Sequence, residues 1–237
     1  MIVYLFDRAF RLMKKAPVEG CFVEFGVYQG NSLRDTIKMA KKYLGIAPKA
    51  YGFDSFSGMP LTKRPLTGKM SESWREGAFA DTGVKIVQKR LDEANVKATL
   101  IANEFRNLPP LRRIGIKKIR FAYLDADIYE GYKDALRLIA PHLQVGSVII
   151  FDEYFPPSDP RYNESVRQHG MKAIREWEDE TGTNLHVIRF AWSAALCVIV
   201  DNEYLKKYGS FIESLRRDNI VQSAADAVHQ LFQKFNL

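Results

Sequence analysis

Two hydrophobic periods take turns along this chain. Short unbroken apolar runs occur at CFVEFG (21–26), KAYGFD (49–54), KATLIA (97–102), FAYLDAD (121–127) and SVIIFDE (147–153). Between them, apolar residues return every three or four positions, as on one face of a helix. Residues 3–15 place Leu5, Ala9, Leu12 and Met13 on one side, and residues 31–44 do the same with Leu33, Ile37, Ala40 and Leu44. Stretches 82–94, 129–143 and 166–181 also read as helices. Two further strand-like runs, NLHVIRF and SAALCVIVD, follow the last of these with only a short turn between them. Strands alternating with helices predict an α/β fold with a doubly wound, mostly parallel, seven-stranded sheet. The closing hairpin predicts an antiparallel last strand. Residues 1–202 make one domain on this reading, and 203–237 a C-terminal helical extension. In that extension Ile220, Ala224, Ala227, Val228, Leu231 and Phe235 share one face, a stripe suited to core or oligomer contact.

The apolar run 121–127 ends on Asp125 and Asp127, and the run 147–153 on Asp152 and Glu153. A helical stretch separates the runs, so they form a βαβ unit whose strands are buried on both faces. Adjacent strands lie about 5 Å apart. Acids at the same end of both strands converge, and like charges that close repel. A divalent cation relieves that repulsion, because hard cations take oxygen ligands. Ligand sites in such sheets lie beyond the carboxyl ends of the strands. In a regular strand Asp125 and Asp127 would face the same way, but the strand is ending there and parity decides little.

The first strand runs into Gly26-Val27-Tyr28-Gln29-Gly30-Asn31-Ser32. Gly26 and Gly30 allow a sharp turn and close approach to a ligand, and Asn31 or Ser32 can cap the next helix. The spacing is neither G-x-G-x-x-G nor G-x-x-x-x-G-K-[ST], which argues against NAD and against a P-loop. Asp54 ends the second strand, where an acid can accept hydrogen bonds from the ribose hydroxyls of an adenosine. Glu24 lies near the end of a buried strand and calls for a partner there, such as a ligand amine.

The composition narrows the partners. The net charge of +7 is spread over pairs such as Lys14-Lys15, Lys41-Lys42 and Arg216-Arg217, with no basic stripe interleaved with aromatics, so no nucleic-acid partner is expected. The longest apolar runs are too short to cross a bilayer. The amphipathic N-terminus lacks the plan of a signal peptide. Cys21 and Cys197 read as buried free thiols, which fits the cytoplasm. Long polar connections at 55–80 and 155–165 suit functional loops. Trp74 and Phe79 in the first could cover a ligand, and His169 beyond the second is an alternative base. His142 and His229 read as structural, and His186 falls in a strand.

Four blocks, VEFGVYQGNSL (23–33), YGFDSFSGMP (51–60), LDADIYEGYKDAL (124–136) and GSVIIFDEY (146–154), resemble the macrocin O-methyltransferase family. The likeness spans roughly residues 10–200. It implies a Rossmann-like class I methyltransferase that uses S-adenosylmethionine and Mg²⁺ on sugar hydroxyls of natural products. By resemblance, Glu24 and Gly26 hold the methionine end of the cofactor, and Asp54 the ribose with Ser55 beside it. Gly30 and Ser32 belong to the same cofactor turn. Asp125, Asp152 and Glu153 fall at metal-ligand positions, and Asp127 where relatives place a general base. Phe105 and Leu108-Pro109 match a block after the third strand. The family carries two aspartates where this chain has Asp152-Glu153, one methylene longer.

The chemistry fits those residue types. Methyl transfer from a sulfonium is an in-line displacement, and alcohols are poor nucleophiles near neutral pH. A bound Mg²⁺ lowers the hydroxyl pKa, and a carboxylate that takes the proton is worth about 10²–10⁴ in rate. The partner is then a small-molecule hydroxyl acceptor, glycosylated if the resemblance holds. Asp125-Ala126-Asp127 also satisfies the D-x-D pattern of a metal-dependent nucleotide-sugar glycosyltransferase, and a structural ion site is a third reading.

Overall fold

A computed structural model of the chain describes residues 3–64, 66, 72–155, 167–191 and 193–217. The helix-like stripe at 220–235, His229 and nearly all of the second polar loop lie outside the described residues. The strands are β1 (Cys21–Phe25), β2 (Ala50–Asp54), β3 (Thr99–Ala102), β4 (Ile119–Leu124), β5 (Val148–Phe151), β6 (Leu185–Ala191) and β7 (Ala194–Ile199). The described α-helices are α1 (Val3–Lys15), α2 (Asn31–Leu44), α3 (Val84–Glu93), α4 (Tyr129–Ile139), α5 (Gly170–Thr181) and α6 (Asn202–Arg217).

The seven strands form one sheet in the order β3-β2-β1-β4-β5-β7-β6. β7 is antiparallel to both of its neighbours and the other pairings are parallel, as the closing hairpin predicts. Helices cover both faces. α1, α2, α3 and α6 bury Leu5, Phe10, Leu33, Ile37, Val87, Leu91, Ile212 and Leu215 against one face. α4, α5 and the segment 108–116 bury Tyr132, Leu136, Ile174, Trp177 and Leu111 against the other. Each helix has one apolar stripe, and a parallel sheet needs both faces covered, so this layering satisfies the two together. Arg8 of α1, fully buried, donates its Nε–H to the Leu215 carbonyl at 2.9 Å. It thereby ties the first helix to the end of α6, inside the segment read from sequence as an extension.

The helix expected over 129–143 stops at Ile139 and continues as a 3₁₀ turn, Ala140–His142. Pro141 explains the change, because it lacks the N–H that an α-helix needs and its ring crowds the preceding turn.

The register is what builds the site. Phe25 pairs with Leu124, and Leu124 with Phe151, so β1, β4 and β5 end level with one another. The ladder then runs one step further. Asp125 N–H donates to the Phe25 carbonyl and Asp152 N–H to the Leu124 carbonyl, both at 2.9 Å. The residues that leave the sheet next, Gly26, Asp125 and Asp152, therefore emerge side by side. Strand order reverses between β1 and β4, which opens the crevice where α/β sheets hold ligands.

Candidate active site

The turn after β1 is shaped for close approach. Gly26 has φ +88°, and a Cβ there would lie 1.8 Å from the Asp125 carbonyl oxygen. Only glycine fits. Gly30, φ +81°, caps α2 without any side-chain hydrogen bond. The expected cap by Asn31 or Ser32 is thus not made. Ser32 Oγ instead donates to Glu24 Oε1 at 2.6 Å. Glu24 is 1% exposed, its other oxygen has no hydrogen-bond partner, and burial pushes its pKa up to about 8. A buried carboxylate with one orphaned oxygen is suited to receive a ligand amine.

Asp54 braces this turn. Its Oδ2 accepts the Val27 and Tyr28 backbone N–H groups at 2.8 Å each, and its Oδ1 accepts the Phe56 N–H at 2.7 Å. Tyr28 sits in the left-handed region at φ +46°, a conformation that those bonds support. Ser55 Oγ donates to the Gly58 carbonyl at 3.1 Å, so it folds the start of the long connection.

On the other side of the crevice the acids converge. Oxygens of Asp125, Asp127 and Glu153 lie within 4.8 Å of one another. Asp152 stands beside them with its Oδ1 accepting from Tyr123 Oη at 3.1 Å. β4 has ended before Asp127, whose φ is +54°, and the Ile128 N–H closes onto the Ala126 carbonyl at 2.6 Å. Asp127 therefore occupies the centre of a three-residue turn, a conformation that costs a non-glycine residue of order 1–3 kcal/mol. That turn, rather than strand parity, aims its carboxylate back toward Asp125.

The electrostatics match this crowding. Burial pushes the Asp125 and Glu153 carboxyls well above the usual carboxylate range, and the charges of Asp152 and Asp127 push them further. Asp127 rises to about 7, through burial and then the charges of Asp152 and Asp54. Asp152 is raised by burial as well. Among the described residues no lysine or arginine forms an ion pair with any of the four. Hard oxygen donors with no side-chain counter-charge are the donor set that a small divalent cation requires.

A cavity of about 360 Å³ joins the two sides. Gly26, Asp54 and Phe105 line one part, and Asp125, Asp127, Asp152 and Glu153 another. Gly58 to Leu61 and Phe79, from the long connection, also contribute to its wall. Phe79 meets Tyr28 edge to face at 5.3 Å. Trp74 is buried and does not line the cavity. His169 is fully buried, with Nδ1 accepting the Tyr129 N–H at 3.3 Å, and it does not line the cavity. His142 is also buried, its Nδ1 3.2 Å from the Lys117 carbonyl.

Tyr132 was not singled out by the sequence reading. Its hydroxyl lies 2.9 Å from Glu153 Oε2 and accepts the Glu153 N–H at 3.2 Å. In sequence it is one more apolar-face residue of α4, and only the register of β5 shows what it touches.

The chain matches the profile described as Macrocin-O-methyltransferase (TylF) over residues 5–186. It belongs to the macrocin O-methyltransferase family. This membership makes the chain an enzyme, an S-adenosylmethionine-dependent O-methyltransferase, and sets aside the nucleotide-sugar transferase reading of Asp125-Ala126-Asp127. The family's fold recurs in solved structures. CalS11, a calicheamicin methyltransferase, is 23% identical, with 81% of this chain and 76% of that one covered at a TM-score of 0.63. The O-methyltransferase NovP is 17% identical, with 83% and 79% covered and a TM-score of 0.66. An O-methyltransferase from Bacillus cereus in complex with SAH is 11% identical, with 84% and 80% covered and a TM-score of 0.52. No curated relative matches the chain. No described helix of this methyltransferase is long and apolar enough to cross a membrane.

Proposed function

We propose that the enzyme methylates a sugar hydroxyl of a glycosylated small molecule and depends on Mg²⁺. The convergence of Asp125, Asp127 and Glu153 oxygens beside the cavity carries this reading. The sugar acceptor is supported by the family's description and by CalS11, which is also described as a TDP-rhamnose 3'-O-methyltransferase.

In this reading Glu24 receives the cofactor's amino group, with Ser32 fixing the carboxylate. Gly26 and Gly30 let the backbone pass close to the methionine portion. Asp54 faces the ribose while it braces the turn, and Ser55 shapes the adjoining wall. Asp125, Asp152 and Glu153 hold the divalent cation, which when bound supplies Lewis-acid polarisation of the acceptor hydroxyl. Asp127 accepts the hydroxyl proton as the new C–O bond forms and the sulfonium S–CH₃ bond breaks, with the thioether S-adenosylhomocysteine as the leaving group. Asp127 is the residue whose pKa burial brings to about 7, where a general base is most effective near neutrality. Gly58 to Leu61 form part of the wall of the cavity. The reaction belongs in the cytoplasm on this account, residues 203–237 extend the catalytic domain, and the enzyme can form a homo-oligomer.

The test is a panel of glycosides and their aglycones incubated with methyl-labelled cofactor, with and without EDTA. Label on a glycoside that is lost with EDTA and restored by Mg²⁺ supports the reading. Full turnover in EDTA refutes the metal role, and label only on aglycones refutes the sugar acceptor.

A further inference from the structure

The Tyr132 hydroxyl sits at the seam where β4 and β5 leave the sheet. The residue is fully buried on the apolar face of α4, with its ring against Phe151 of β5, centroids 6.4 Å apart. The hydroxyl meets three groups there. It accepts the Glu153 N–H at 3.2 Å, and it lies 2.9 Å from Glu153 Oε2 and 3.0 Å from the Leu124 carbonyl. That carbonyl also accepts the Asp152 N–H at 2.9 Å. One hydroxyl thus touches the residue before Asp125 and both the backbone and the side chain of Glu153. A phenol has a single proton to give, and an ionised carboxylate accepts it more strongly than a neutral carbonyl does. The ring is held from the other side by α5. A Cβ on Gly170, the first residue of that helix, would lie 2.8 Å from Tyr132 Cε2, next to the carbon that bears the hydroxyl.

We propose that Tyr132 is a positioning residue for the acid cluster: its hydroxyl holds Glu153 where its carboxylate meets Asp125 and Asp127, so that the donor set is arranged before a cation arrives. The inference rests on the metal role proposed above and names what orders one of its ligands. A glutamate side chain has several rotatable bonds, and a cation that binds it unordered must freeze them itself. Groups that orient metal ligands from outside contribute about 10-fold to 100-fold in metal affinity. Glu24 and Asp54, on the opposite wall, take their hydrogen bonds from Ser32 and the glycine turn, so cofactor affinity should not depend on this hydroxyl.

Tyr132→Phe keeps the ring and removes the hydroxyl. Mn²⁺ alone is titrated into wild type and variant, with the free ion followed by its paramagnetic signal, and S-adenosylhomocysteine binding is read by calorimetry on the same samples. Mn²⁺ affinity should fall about tenfold or more, while S-adenosylhomocysteine affinity stays within about twofold of wild type. Unchanged Mn²⁺ affinity overturns the proposal. An equal loss of both affinities identifies a tyrosine that merely packs the sheet, and overturns it too. Gly170→Ala disturbs the same hydroxyl from α5. It should weaken Mn²⁺ binding in wild type and add nothing to Tyr132→Phe; a further loss there shows that the ring acts by packing alone and counts against the proposal. If Tyr132→Phe does not fold, Gly170→Ala decides by the same two affinities. A wild type that takes up no Mn²⁺ refutes the metal reading and this inference with it, whereas uptake by wild type with no loss in the variants refutes this inference only.

Discussion

The two walls of the crevice handle negative charge in opposite ways. On the β1–β2 side the chain partners its own carboxylates except for one oxygen of Glu24. Asp54 accepts three backbone N–H groups, and Ser32 bonds one oxygen of Glu24. On the β4–β5 side Asp125, Asp127, Asp152 and Glu153 crowd together, and the described hydrogen-bond partners of their side chains are Tyr123 and Tyr132 rather than cations. On the function proposed above, the difference separates a wall preorganised for a cofactor of fixed shape from one that would draw a positive charge from outside.

The largest effect should come from the crowded wall. Asp125→Ala is expected to lower turnover by about 10³ or more while cofactor affinity, read by calorimetry, changes little. A comparable loss of cofactor affinity would merge the two walls into one function. Next, Gly26→Ala drives a methyl into the Asp125 carbonyl at a positive φ, and should destabilise the fold by about 3 kcal/mol or more in urea titration. A stable variant would show that the turn can move. Third, Asp54→Ala leaves backbone donors of the glycine turn without their acceptor, and cofactor affinity should fall at least tenfold, about 1.4 kcal/mol, with metal binding retained.

A smaller effect concerns pH. Glu24 titrates near 8 in the folded protein against an ordinary 4.5, so the folded state binds more protons between those values. The stability that its protonation contributes is fully present below about 4.5 and lost as pH rises through about 8. Glu24→Gln should flatten that part of the stability profile of the cofactor-free enzyme, measured by thermal unfolding from pH 5 to pH 8.5. An unchanged slope would place the titration elsewhere.

Much of this contrast was legible in the sequence. Unbroken apolar runs ending in acids located β4, β5 and the cluster, because parallel strands are buried on both faces and any charge marks their end. The hairpin of β6 and β7 was legible from the short turn between two runs. Legibility stopped where contacts depend on register or on backbone strain. The left-handed turn at Asp127 has no signature in DAD. Tyr132 reads as core until β5 places Glu153 against it. Trp74 read as a loop aromatic that could cover a ligand, whereas it is buried and does not line the cavity. The cap of α2 was misassigned because Ser32 has a stronger partner in the buried Glu24.

The central claim is that these carboxylates share a divalent cation. Titration of Mn²⁺ into the enzyme, followed by the paramagnetic signal of the free ion, tests it without any acceptor. One equivalent should disappear from the free signal in wild type and stay free in Asp125→Ala and Glu153→Gln. A wild-type titration in which every added ion remains free would contradict it.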